Sequence, residues 1–223
     1  MKLFLLCLMT TLGHIPCLLL RYAPFKALTD KKREHKLFAL YLALLLLNTL
    51  VFAAAYLNNT ATIGLYKFLL FFYSFLLTGI NMLVLRGHIR EHLFTCGLVM
   101  LMIVMVFSTV GYLQTFCSVA DTSWQIIINA ALTLAICAAL YPMLRWLMTH
   151  TVTPFLSMDC GNYWKNVWFI PLLMFLACFC AVPADGYVNT PRQLLSRLFL
   201  CGAALFVCRS MAQDNACLLY TSS

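Results

Sequence analysis

The chain has 223 residues, of which 63% are hydrophobic and only 10% are charged, and its mean hydropathy is +0.90. A soluble domain usually carries about 25% charged residues, and a single core cannot bury this much apolar surface. These values exclude an ordinary soluble domain, a disordered chain and a coiled coil, and they indicate a membrane protein with several spans. We assign the formal net charge of +8 to membrane topology and predict no nucleic-acid partner, because basic residues orient spans in the bilayer.

Seven stretches are apolar and long enough, or nearly so, to cross a bilayer as helices, which takes about 20 residues. In chain order they are Leu3–Leu20, Leu37–Leu57, Leu65–Leu85, Leu93–Leu113, Trp124–Leu147, Val167–Val182 and Leu194–Met211. Lipid permits only helices or closed barrels, and long unbroken apolar runs are typical of helices. The predicted fold is an all-α transmembrane bundle of about seven helices within residues 1–212.

Lysine and arginine residues fall unevenly on the two sides of these spans. If the segment after the first span is cytoplasmic, eleven of the fifteen basic residues lie inside, Arg21 and Lys31–Arg33 among them. The positive-inside rule then predicts an outside N-terminus and a cytoplasmic C-terminus. The first span could also be read as a signal peptide. No small-residue cleavage site follows it, and its basic flank is typical of a stop-transfer sequence, so we predict an uncleaved helix.

Four polar residues lie inside the predicted spans, namely His14, Asn48, Asn81 and Asn129. Polar groups are costly in lipid and usually face protein or water, so these residues are candidates for a binding or relay role. Hydrogen bonding between helices is the alternative interpretation. All seven acidic residues flank the spans. This argues against a proton- or sodium-coupled carrier, which usually needs a carboxylate within the membrane.

The stretch His88–His92 reads HIREH and matches the inverted zinc-peptidase pattern H-x-x-E-H. In that chemistry His88 and His92 would hold zinc and Glu91 would act as general base. No acidic third ligand follows at a recognisable spacing, and the motif falls between two spans. We interpret it as a solvated cytoplasmic loop and predict no metal site. No phosphate-binding loop, nucleophile elbow or catalytic triad occurs, so no catalytic residue is predicted.

Two stretches of the chain carry a resemblance to a known family. Gly161–Pro171 (GNYWKNVWFIP) resembles a Trp-basic-x-x-Trp-x-x-Pro segment found before the penultimate span of certain Gram-positive sensor histidine kinases. These kinases have a GHKL-type ATPase domain and are related to peptide quorum-sensing receptors. Ile15–Lys26 (IPCLLLRYAPFK) resembles their N-terminal span and the turn that follows it. The order and spacing of the spans in residues 1–212 also fit this family.

The resemblance implies the input domain of a two-component sensor kinase in a bacterial cell membrane, which detects an extracellular ligand such as a peptide. It also implies a homodimer, a cytoplasmic response regulator as partner, and a separate kinase domain that uses ATP and Mg²⁺. No cofactor is expected within this chain. Ligand contacts are predicted at aromatic residues in or beside the outer loops, namely Tyr66, Tyr112, Trp124 and Tyr187. A small permease lined by the intramembrane polar residues is the alternative function.

Residues 213–223 form a tail. The codons TGT CTC TTA TAC ACA TCT encode the residues at 217–222 and coincide with a transposon-end adaptor used to fragment DNA for sequencing. We therefore expect 217–223 to be translated adaptor, with the natural reading frame represented only to about Ala216. A genuine short apolar tail is the alternative.

Overall fold

The computed structural model describes residues 2–85, 89–117, 119–157, 168–180 and 190–221, and every regular element within these ranges is a helix. In chain order they are α1 (Lys2–Leu12), α2 (Ile15–Tyr22), a 3₁₀ helix (Ala23–Leu28), α3 (Lys31–Leu57), α4 (Ile63–Val84), α5 (Ile89–Gln114), α6 (Thr122–Ser157), α7 (Ile170–Cys180) and α8 (Pro191–Thr221). Among the described residues, six stretches are long and apolar enough to cross a membrane. The predicted all-α, multi-pass architecture is confirmed at this level.

The first predicted span, Leu3–Leu20, is not one continuous helix. α1 ends at Leu12, and a short turn separates it from α2. Pro16 explains the break, because proline has no N–H to donate to the Leu12 carbonyl and its ring would clash with that group. The same proline is tolerated in the first turn of α2, where N–H groups have no intrahelical partner. With the 3₁₀ helix included, the apolar stretch runs from Lys2 to Ala27.

Helix α5 lies at the centre of the bundle. In its apolar stretch 78% of the residues are buried, against 28–35% in the other five stretches. It packs against α2, α4, α6, α7 and α8. Large apolar side chains such as Leu83 on α4 and Phe199 on α8 are exposed instead, as expected for a surface that faces lipid.

Helix α5 packs directly against the backbone of α7. A Cβ atom added at Gly97 would lie 2.7 Å from the backbone nitrogen of Leu172 and 2.7 Å from the Cβ of Pro171. Only glycine leaves room for two backbones at this separation, and small residues serve the same purpose at many helix contacts within membranes. Gly97 therefore fixes how close α7 comes to the central helix.

The predicted solvated loop at His88–His92 is wrong for its last two residues. α5 begins at Ile89, before the predicted start of the fourth span, and Glu91 and His92 are buried. The reason is tertiary packing, since the His92 ring stacks on Phe25 of the 3₁₀ helix with ring centroids 4.6 Å apart. His88 lies outside the described residues.

The later predicted spans differ from the structure mainly at their ends. α6 continues through Pro142 as far as Ser157, well beyond the predicted end. In the sixth span, Trp168 and Phe169 form a turn before α7, and residues 167, 181 and 182 of the predicted range lie outside the described residues. α8 continues as a helix to Thr221, past Met211, where the seventh span was predicted to end. The last helix thus extends beyond the predicted span and includes the polar residues 213–215.

The two ends of the bundle carry different charged groups. At one end, which we call the Lys2 end, the ammonium of Lys2 lies 2.8 Å from Asp121 Oδ2 in the α5–α6 connection. At the other, the basic end, Lys26 and Arg145 line one cleft, and Arg209 of α8 lies over the Trp146 ring of α6. The side of the membrane that each end faces stays a prediction.

Candidate functional site, a buried polar network

Polar side chains form two groups of contacts in the interior of the bundle, and the first begins at the turn between α1 and α2. The His14 ring is fully buried there. Its Nδ1 lies 2.7 Å from the Thr10 carbonyl oxygen, and its Nε2 lies 3.3 Å from Nδ2 of Asn48 on α3. Because a carbonyl only accepts, Nδ1 carries the proton and Nε2 accepts from the Asn48 amide. This is the arrangement of a neutral histidine that joins the first two helices to α3.

Two tyrosines extend the network between α3 and α4. The Tyr73 ring packs edge-on against His14 with ring centroids 4.7 Å apart, and its hydroxyl donates to the Tyr41 carbonyl at 3.5 Å. The Tyr41 hydroxyl donates in turn to Oδ1 of Asn81 on α4. Such bonds matter inside a bundle, because a buried polar group left unpaired costs about 1–3 kcal/mol.

Arg21 of α2 is the centre of the second group, which also involves α4, and is only 1% exposed. Its guanidinium donates to the hydroxyl oxygens of Ser74 and Thr78 on α4. It also lies 3.5 Å from Sγ of Cys96 on the central helix α5. One arginine side chain therefore bridges three helices.

The partners of Arg21 are unusual because they are neutral. Within the described residues no carboxylate lies at ion-pair distance from the guanidinium, and its buried Nε has no hydrogen-bond partner. Burying a charge costs several kcal/mol, and hydrogen bonds from a charged group return about 1.5–3 kcal/mol each. A charge held in this way inside a membrane bundle marks a candidate functional position.

Three of the four polar residues singled out in the sequence belong to this region. His14, Asn48 and Asn81 each hydrogen-bond across helices through the contacts given above. Asn129 of α6 does not join them. Its side chain is fully buried, and neither amide atom has a hydrogen-bond partner in the described part of the chain.

The predicted ligand-contacting aromatic residues occupy different environments. Tyr66 is 1% exposed and points into the bundle, where a Cβ at Gly13 would lie 2.7 Å from its hydroxyl oxygen. Tyr112 is half-buried, whereas Trp124 is exposed at the Lys2 end, with the Lys2 ammonium 5.9 Å from its ring centroid. Tyr187 lies outside the described residues. The structure brings no two of the three described aromatics into one site, and their role as ligand contacts stays a prediction.

The sequence places Arg21 in the basic flank after the first span, whereas the structure buries it in the bundle at the end of α2. The side of the membrane on which it lies stays a prediction. A usable signal was present, because Arg21 follows His14 by seven residues, which is about two turns of helix and places both on one face. Arg197, one of the four basic residues left on the outer side although it falls within the predicted seventh span, lies on α8. It is buried, and its Nη1 donates to the Ser108 hydroxyl of α5 at 3.2 Å. At Arg21 the helix continues past the point where the apolar pattern predicts its boundary.

The zinc-peptidase alternative gains no support from the described residues. His92 is buried against Phe25, and neither of its ring nitrogens has a hydrogen-bond partner there. No group of three His, Cys, Asp or Glu side chains in the described ranges is placed to hold a metal ion.

A small void lies between α2, α5 and α6, next to the polar network. Its volume is about 20 Å³, room for roughly one water molecule, and its lining includes Cys17, Val106 and Cys137. The lining is almost entirely apolar, so this space offers little to a polar solute. What the network provides chemically is a set of donors and acceptors that can exchange partners when helices shift. No family model, curated protein or solved structure matches this chain.

Proposed function

We propose that this chain is the transmembrane input domain of a bacterial two-component sensor histidine kinase of the GHKL type. The observation that carries the proposal is Arg21, a buried cation whose partners among the described residues are all neutral, namely the hydroxyls of Ser74 and Thr78 and the thiol of Cys96. A carboxylate would bind the guanidinium strongly in one position. Neutral hydroxyls hold it less tightly, so a small shift of α2 against α4 can exchange its partners at low cost.

The helix contacts provide a route from this position to the last helix. Arg21 touches Cys96 of α5, and α5 packs along α8. α8 in turn continues past Met211 into the polar residues 213–215, so its rotation or translation would be transmitted beyond the predicted span. An extracellular ligand would act at the Lys2 end, and it would shift the bundle only as far as its affinities for the two arrangements differ. The output would pass to a dimeric, ATP- and Mg²⁺-dependent kinase domain and then to a response regulator.

The first experiment is to amplify and resequence the source DNA across the codon of Ala216. The proposal predicts a frame that continues into a helix with a phosphoacceptor histidine, followed by an Asn- and Gly-rich ATP site. A native stop codon close to this position would overturn the kinase proposal and favour a small permease or a partner-dependent membrane protein.

A second experiment tests coupling through α8. Residues 1–213 are fused to the cytoplasmic core of a histidine kinase, with one to four residues inserted at the junction. Each inserted residue rotates the following helix by about 100°, so autophosphorylation should vary periodically with insert length. The same insertions placed after the kinase core serve as the control. Equal activity at every insert length would count against transmission through α8.

The rival function, a small permease, makes a different prediction. Purified full chain in proteoliposomes should then transport a polar solute, and replacing His14 or Asn48 should abolish the flux. The small, apolar void beside the network favours the sensor over this alternative. Flux through the unmodified chain would reverse that preference.

A further inference from the structure

A second polar feature lies at the basic end, apart from the buried network. The 3₁₀ helix and the C-terminal half of α6 border a shallow, open cleft of about 670 Å³. Lys26 lines it from one side, and Arg145, Thr149, His150 and Thr153 line it from the other. A cleft of this size is in the range that accommodates small ligands.

The polar groups of the cleft are largely unengaged by the rest of the described chain. Neither Lys26 nor Arg145 has a carboxylate within ion-pair distance there, and the Thr153 hydroxyl makes no hydrogen bond there. His150 directs Nδ1 to the Trp146 carbonyl at 2.9 Å, and its Nε2 has no hydrogen-bond partner among the described residues. Two cations, a hydroxyl and an imidazole nitrogen thus face one space, and no carboxylate of the described ranges pairs with either cation.

This combination fits a phosphate group. Arginine presents a planar fork of donors that matches phosphate oxygens, lysine adds a compact charge, and threonine supplies a neutral donor. Two cations that share a cleft repel each other. A group with two or more negatively charged oxygens can bind both cations and so offset this repulsion.

The side chains around the cleft are of the kinds that are typical of the lipid headgroup region. Met143 and Trp146, on the same stretch of α6 as Arg145, are 52% and 43% exposed. An exposed tryptophan next to basic residues at the end of an apolar helix is typical of the membrane interface. Basic pockets between spans at this depth bind the headgroups of anionic lipids.

We propose that the cleft between the 3₁₀ helix and α6 binds a phosphate group through Lys26 and Arg145, supplied by an anionic phospholipid or by a soluble phosphate compound. This site is independent of the sensor function. It also lies next to α8, because Arg209 is 4.7 Å from the centroid of the Trp146 ring, which itself packs on His150.

The test uses the full chain in phosphatidylcholine vesicles that contain a minor fraction of spin-labelled phosphatidylglycerol. Electron spin resonance then measures how strongly the labelled lipid associates with the protein relative to labelled phosphatidylcholine. The double variant K26Q/R145Q should lose about five-fold in this preference for each basic side chain removed. A parallel calorimetric titration with inorganic phosphate in detergent tests the soluble source.

The matched control is K31Q/K32Q, which removes the same charge at the same end from the exposed first turn of α3, outside the cleft. Measurements are repeated at about 1 M salt, where the Debye length is about 3 Å and diffuse attraction is screened. The unmodified chain and the control should keep their preference for phosphatidylglycerol, and only K26Q/R145Q should lose it. The thermal unfolding midpoints of both variants check that the bundle is intact.

Each result bears on the proposal. Loss of the lipid preference in the cleft variant alone supports a phospholipid phosphate. Phosphate binding that the cleft variant abolishes, without any lipid preference, supports a soluble phosphate compound. Equal losses in both double variants indicate diffuse surface charge and overturn the site. Absence of both lipid preference and phosphate binding in the unmodified chain overturns it as well.

Discussion

At the scale of single residues, the main energetic feature is a charge kept in the bundle by neutral partners. The guanidinium of Arg21 has lost its water and gained two hydroxyl acceptors on α4. The Thr78 hydroxyl also donates to the Ser74 carbonyl at 3.0 Å, so it stays hydrogen-bonded whether or not the arginine is present. Removing Arg21 would therefore leave the Thr78 hydroxyl hydrogen-bonded, whereas removing the hydroxyls of α4 would leave the buried guanidinium without these acceptors.

This asymmetry predicts opposite results for two substitutions. Arg21→Met removes the charge and keeps an unbranched side chain, so the free energy of unfolding in detergent should be unchanged or higher. Thr78→Val removes an acceptor and leaves the charge in place, which should lower that free energy by about 1.5–3 kcal/mol. Equal destabilisation by both variants would mean that Arg21 is a purely structural residue.

Two buried asparagines allow a second matched comparison. Asn48 donates to His14, whereas both amide atoms of Asn129 lack partners in the described chain. Asn48→Leu should therefore lower the free energy of unfolding by about 0.6–2 kcal/mol, the usual value of a hydrogen bond between membrane helices. Asn129→Leu should leave it unchanged or raise it, since an unpaired amide is removed. The two variants are compared by equilibrium unfolding in the same micelles, and a larger loss for Asn129→Leu would contradict this interpretation.

At the scale of helices, the packing of α7 on α5 depends on one missing side chain. Gly97→Ala would place a methyl group 2.7 Å from the α7 backbone, and such overpacking typically costs about 1–3 kcal/mol. Gly79 of α4 provides the control, because a Cβ there meets nothing within 4 Å. Gly79→Ala should be neutral or mildly stabilising, since alanine is the better helix former. Similar thermal unfolding midpoints for the two variants would show that α7 can shift away from α5 without cost.

The start of α6 combines a helix cap with an ion pair. The Oδ1 atom of Asp121 accepts from the backbone N–H groups of Ser123 and Trp124 at 2.8 and 3.2 Å, and Oδ2 pairs with Lys2. The Lys2 ammonium and these N–H groups lower the pKa of the Asp121 carboxyl below its ordinary value of 3.8. The folded state therefore releases this proton more readily than the unfolded state does, and the resulting stability is present above pH 3.8.

Lowering the pH through the depressed pKa should remove that contribution. We expect Asp121→Asn to be slightly less stable than the unmodified chain at neutral pH and equally stable once the carboxyl is protonated, because asparagine keeps a cap oxygen but has no charge. Thermal unfolding of both chains across the acid range measures the difference. A stability gap that persists at the lowest pH would assign it to the cap and not to the ion pair.

At the scale of the whole molecule, the predicted orientation can be read from native cysteines. Cys117 is exposed in the α5–α6 connection, near the Lys2 end. With the N-terminus outside, a membrane-impermeant maleimide should label Cys117 in intact cells, and Cys117→Ser should abolish this labelling. In that background Lys32→Cys, at the basic end, should react only after permeabilisation. The reverse pattern would invert the topology while leaving the fold unchanged.

The sequence predicted the helical class and the approximate position of most spans, because apolar runs of sufficient length have few alternatives in lipid. It also identified His14, Asn48 and Asn81 as polar residues that need partners. The sequence predicted the end of the first span at Leu20, whereas α2 continues to Tyr22. Hydropathy treats Arg21 as the end of a span, and the arginine stays inside because Ser74 and Thr78 supply acceptors from a different helix.

What the sequence determined by itself is therefore local. It includes the lengths of the apolar runs, the helix break that Pro16 imposes and the uneven distribution of basic residues. Tertiary structure decided which polar groups meet, which glycine lets two backbones touch, and that α5 rather than another span lies at the centre. The physical reason is that helices in lipid are all apolar, so hydropathy hardly distinguishes one helix face from another. Close packing and pairwise hydrogen bonds make that distinction, and both depend on residues far apart in the chain.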